Sequence, residues 1–164
     1  MVNSPQSTMT VFDYLIDHSD FNWPTLLSGW GWLLADEEFS VWLMNRFGDL
    51  FLIFDDGTVR MLDCGAGTLE KVAESKDDFC DRVDEGDNAD DWLMIPLVDQ
   101  LVEAGTTLTK GPCYSFRVPP VLGGAYSIEN TVTLDIAGHY SLYGEVHEQL
   151  KDLPDGTEVR LRVI

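Results

Sequence analysis

Hydrophobic and polar residues change their spacing along this chain in a way that separates strands from helices. Residues 39–47 are rich in β-formers, Gly48-Asp49 marks a turn, and 50–54 (LFLIF) is a dense apolar run. Asp55-Asp56-Gly57 is a hairpin turn, because an Asp-Gly pair tolerates positive φ. Residues 58–63 return with Val59 and Met61 on one face and Arg60 and Leu62 on the other. The expectation is a three-stranded antiparallel meander over 39–63.

Helical spacing dominates elsewhere. Val11, Phe12, Leu15 and Ile16 form a short face over 10–18. Asn22 can cap a helix that begins at Trp23-Pro24 and presents Leu26, Leu27, Trp30, Leu33 and Leu34, although Gly29 and Gly31 weaken it by about 1 kcal/mol each. After Gly65-Ala66-Gly67 a short helix is expected over 68–74, and Ser75 caps another through Val83. A third runs over 89–104 to Gly105, with Pro96 either kinking it or starting its second half. Residues 113–118 and 131–135 read as strands around a loop. A helix over 136–153 follows, capped by Asp135, with Leu142, Val146, Leu150 and Leu153 in one stripe. Residues 159–163 alternate as a last strand. The class is α+β: one domain over 1–164, a largely antiparallel sheet with helices packed against it, and a frayed, polar 1–8.

Composition sharpens this. At 164 residues and 45% hydrophobic, the chain can bury roughly 70% of its unfolded surface in one core. Ten basic against 29 acidic residues give −19, a field that repels nucleic acid and anionic membranes and attracts basic partners. Cys64, Cys80 and Cys113 are odd in number and widely spaced, as small buried thiols are, and neither a disulfide framework nor a zinc site results. The start, MVNSPQSTMT, lacks the basic-then-apolar pattern of a signal peptide, and the apolar runs are too short to span a bilayer. The cytoplasm is the expected compartment.

The search for chemistry excludes more than it finds. CGAGTLE (64–70) has Glu70 where a dinucleotide loop needs its third glycine, so a turn is expected. DEGDNADD (84–91) lacks the ligands and the turn glycine of a calcium loop and reads as a solvated helix entry. There is no GxSxG and no cysteine in a basic context, and no cofactor is expected. His139 lies beside the apolar stripe as a half-buried histidine. His147 shares a helix face with Tyr140 and Tyr143, either as a contact patch or as amphipathic residues capping a core edge. PPVLGGAYSIEN (119–130) alternates rigid prolines with permissive glycines and presents Tyr126, Glu129 and Asn130. It is either a binding surface or a tight corner.

Three segments carry a family resemblance: NRFGDLFLIFDDGTVRMLDCGAGTLEKVAES (45–75), DDWLMIPLVDQLVEAG (90–105) and the stretch 113–156 with its Gly-Gly-x-Tyr-x-x-Glu-Asn motif. Over roughly 40–156 the chain resembles the bacterial immunity proteins of type VI secretion DNase effectors, and more weakly the SUKH-type immunity superfamily. The resemblance implies a cytoplasmic, non-enzymatic protein that binds and silences a cognate toxin; the net charge of −19 points to a basic one, and the loop residues Gly123, Gly124, Tyr126, Glu129 and Asn130 with the helix-face residues Tyr140, Tyr143 and His147 are the candidate partner-facing residues. The alternative is a small-molecule-binding or regulatory domain with a pocket near Tyr126 and His139. A hydrolase using clustered acids ranks third.

Overall fold

A computed structural model describes residues 10–35 and 37–154. Its centre is a four-stranded antiparallel sheet, β1 (Phe39–Met44), β2 (Leu50–Phe54), β3 (Val59–Asp63) and β4 (Thr68–Ala73), in meander order. Gly57, at φ +83°, closes the β2–β3 turn, where Asp56 Oδ1 accepts the Thr58 amide and hydroxyl, so the Asp-Gly hairpin forms as the sequence suggests. The apolar runs of β2 and β3 bury both faces of the sheet, with Leu50, Phe51, Leu52, Val59 and Leu62 fully enclosed.

The fourth strand corrects the helix expected over 68–74. Gly67, at φ +71°, donates its amide to Asp63 O, and Asp63 Oδ1 takes the Ala66 amide. This tight turn reverses the chain directly onto the open edge of β3, where backbone pairing from Asp63↔Thr68 to Val59↔Ala73 outweighs the weak helical preference of TLEKVA. The first strand is also shorter than 39–47. It stops at Met44 because Asn45 folds its amide back onto the backbone, its Oδ1 accepting from Phe47 N and Asp49 N.

The helix expected from Trp23 is broken. It becomes α1 (Trp23–Leu26), a 3-10 turn (Ser28–Trp30) and α2 (Gly31–Leu34), with Leu27 and Trp30 at ψ near zero. Asn22 does cap α1, through Thr25 N. Residues 11–14 form only a 3-10 turn, and Leu15 then pairs with Asn45 in an isolated bridge. Downstream come α3 (Lys76–Arg82), capped by Ser75 through Asp78 N, then α4 (Asn88–Trp92) and α5 (Ile95–Glu103). Met94, left-handed at φ 55°, separates the last two, and Pro96 sits in the first turn of α5, so it starts a second helix rather than kinking a long one. Gly105 ends α5: its amide bonds Val102 O while Thr106 N bonds Leu101 O, which satisfies two terminal carbonyls.

A two-stranded hairpin, β5 (Pro112–Phe116) and β6 (Thr131–Asp135), docks on the β1–β2 turn through Tyr114 N to Arg46 O. Asp135 caps α6 (Ile136–Leu150) through Gly138 N. The tip of the first helical region locks α6 in place. Trp30 Nε1 donates to Tyr140 O and Trp32 Nε1 to Gly144 O, and a Cβ on Gly144 would stand 2.7 Å from Gly29 O. Each buried indole bond contributes about 1 kcal/mol, and the glycine is what permits the close approach. The strand expected over 159–163 lies outside the described residues.

Candidate functional site

The loop between β5 and β6 is built on one asparagine. Asn130 Nδ2 donates to Val118 O and Ala125 O, while its Oδ1 accepts Val118 N. Backbone amides of Leu122, Gly123 and Gly124 turn back onto Pro119 and Pro120. Gly123 adopts φ +96°, and a Cβ on Gly124 would fall 1.8 Å from Val118 O, so neither glycine can be replaced without strain. Thus Gly123, Gly124 and Asn130 shape the loop, and its large outward side chains are Arg117, Val118, Val121, Tyr126, Ile128 and Glu129. Tyr126 is 53% exposed, with its ring set edge-on against Phe116.

Beneath the loop, the polar face of α6 points inward. Tyr140 and Tyr143 are fully buried and His147 is 4% exposed, so of the two readings open for this trio, a contact patch or a core edge, the burial agrees with the second. Tyr140 and His147 are drawn inside by partners from other elements, whereas the buried Tyr143 hydroxyl has no hydrogen-bond partner among the described residues. Tyr140 Oη donates to Gly48 O at 2.6 Å, and His147 Nε2 donates to Cys64 O at 2.7 Å. His139 is likewise wholly buried, not half-buried, with Nδ1 2.9 Å from Ser115 Oγ and Nε2 against the Cα of Gly48 without a hydrogen-bond partner. Burial lowers His139 to about 4, so the ring is neutral at physiological pH. The exposed side of α6 carries Leu142, which belonged to the expected apolar stripe.

The β1–β2 turn supplies a feature that sequence patterning missed. Asp49 is buried, accepting from Asn45 Nδ2 and from the Cys64 amide, and desolvation followed by the nearby Asp63 raises its pKa well above the usual carboxylate range. A polar residue in the Gly-Asp turn looked solvent-facing. Asp49, Asp63, Asp91, Tyr126 and His139 line one crevice between the turn, α4 and the loop. Its free volume is about 20 Å³, room for one water and no larger ligand. Burial and the two acids together push the Tyr126 hydroxyl up to about 12.

Asp91 ties this crevice to the acidic run. From residue 74 to 91 the solvent meets Glu74, Asp77, Asp81, Asp84, Glu85, Asp87, Asp90 and Asp91, against Lys76 and Arg82. Ion pairs among the described residues engage only Glu37, Asp56, Glu74, Asp78 and Asp152, so most of the excess negative charge faces water. Among the described residues no group of three or more His, Cys, Asp or Glu is arranged to hold a metal. A wide groove of about 860 Å³ lies elsewhere, between residues 12–21, the end of β1 and residues 108–112.

Residues 73–147 match the family described as T6SS immunity protein Tdi1, C-terminal. This chain is similar to a type VI secretion immunity protein. The match runs from the end of β4 to His147 on α6, so the acidic run, the crevice wall at Asp91 and the whole loop fall within it. The β1–β2 turn and the meander lie before it, although the resemblance read from the sequence reached back to about residue 40. No curated protein matches the chain. Among the described residues no helix is long and apolar enough to cross a membrane.

Proposed function

We propose that this protein is an immunity protein that silences a cognate toxin by binding it one-to-one and covering its working surface, without transforming a substrate. The toxin on this reading is basic, as a nuclease that grips phosphates must be. The observation that carries the reading is the acidic face of residues 74–91, where only Glu74 and Asp78 are in ion pairs among the described residues, inside the segment that matches the immunity family. A negative surface of this kind speeds encounter with a positive one and competes with phosphate for it. The cytoplasm, where an incoming effector would be met, is the compartment this function requires.

The small-molecule alternative loses its support at the place where it was expected, because the crevice at Tyr126 and His139 has room for no more than one water. Clustered acids acting as a hydrolase would need a carboxylate exposed to substrate in a cleft, and Asp49 is sealed from one.

The test is co-expression with the effector encoded beside this gene. Growth should be restored by this chain, and the two purified proteins should form a one-to-one complex that loses nuclease activity. Absence of both rescue and binding retires the proposal.

A further inference from the structure

The loop carries an oddity for so acidic a protein. Val118, Val121, Tyr126 and Ile128 are 45%, 43%, 53% and 36% exposed, four large apolar side chains on eleven residues. Asn130 and the two glycines hold this loop in one shape, and α5 packs against its 3-10 turn at 128–130, so the apolar knuckle is presented rigidly. It is also rimmed by charge. Glu129 stands within it and Arg117 at its base, and Tyr126 shares its crevice with Asp63 and Asp91, the last residue of the acidic run.

We propose that this knuckle, with Tyr126 as its anchor and Glu129 and Asp91 at its edge, is the surface that seats the toxin, and that it receives an apolar hollow edged by Lys or Arg on a folded basic protein. The proposal rests on the immunity reading and adds the location. Apolar centres with a charged rim are the usual anatomy of tight protein contacts, and Tyr is among the residues that dominate them. Other occupants fit worse. A second copy would bring −19 against −19, and an anionic membrane or nucleic acid meets the same repulsion. A small ligand finds only the space of one water.

The probe is the toxin domain of the effector encoded beside this gene, inactivated by mutation and immobilised for kinetic binding at 0.15 M sodium chloride. Val121→Asp and Tyr126→Ala should each weaken binding by roughly 30-fold or more, mainly through faster dissociation. Asp91→Lys with Glu129→Lys should slow association and flatten its salt dependence. Leu142→Asp, which alters an equally exposed apolar residue on the outer side of α6, should leave affinity within about 2-fold. Thermal melts of each variant separate binding from folding. Wild-type binding that survives both loop variants, or that falls equally with Leu142→Asp, overturns the location and leaves the immunity reading standing. Failure of the wild type to bind takes both down.

Discussion

His139 sits where a histidine can only be neutral: its ring is enclosed by Ser115, Tyr143 and the Gly48 backbone, with no carboxylate bonded to it. Its folded pKa of about 4 lies below the 6.5 of an unfolded chain, so the unfolded state binds the extra proton first. The stabilisation from keeping it neutral is complete above pH 6.5 and is lost as pH falls through the window from 6.5 to 4, about 3 kcal/mol in all. Burial shifts His147 in the same direction. Asp49 has the opposite sign, since its raised pKa favours the folded state as protons are added above pH 3.8. Denaturant melts between pH 7 and 4 should therefore show a steeper acid loss in Asp49→Asn than in the wild type, and a shallower one in His139→Gln. Equal slopes in all three proteins would place the titration elsewhere. These residues also mark where sequence reading stops. Tyr140, Tyr143 and His147 share a helix face, and their polar tips suggest solvent. What takes Tyr140 and His147 inside is a carbonyl from Gly48 or Cys64, dozens of residues away, which no local pattern reveals.

Elements whose signals are local were legible and those set by a neighbour were not. The caps at Asn22, Ser75 and Asp135 each bond the amide three residues on, because capping depends only on a short side chain and the turn it starts. The meander over 39–63 was readable from Asp-Gly and apolar runs. Strand β4 was not, since TLEKVA is drawn to the edge of β3 by the turn before it. The loop at 119–130 was flagged by its Pro-Pro and Gly-Gly pairs as either corner or surface, and it is built as both. Gly123, Gly124 and Asn130 make the corner, while Val121, Tyr126 and Ile128 face outward. The corner can be tested by itself. Gly124→Ala would drive a methyl into Val118 O and against Asn130 Nδ2, breaking the bonds that close the loop. It should cost about 2 kcal/mol, read as a lower melting temperature with faster amide exchange at 118–130. Gly57→Ala is the contrasting control, because its Cβ meets nothing within 4 Å and pays only for φ +83°.

At the scale of the whole molecule, one charge distribution acts on folding and binding with opposite signs. With −19 spread over a small protein, and Arg60, Lys71, Arg82 and Lys151 pairing with few of the acids, the folded state carries net self-repulsion that the expanded chain relieves. Dissolved sodium chloride shortens the screening length from roughly 14 Å at 0.05 M to about 4 Å at 0.5 M, which weakens repulsion between distant carboxylates. The melting temperature should therefore rise over that range by a few degrees, about 1 kcal/mol for a chain of this size. Attraction to a basic partner is screened by the same ions, so its association rate should fall by about 10-fold or more over the same range. Dissociation, governed by the apolar loop on the location inferred above, should change little. An extended binding face made only of carboxylates predicts a different pattern, in which dissociation also quickens with salt. Measuring the melt, the association rate and the dissociation rate across one salt series thus separates the two roles of the charge, steering from holding, without altering a single residue.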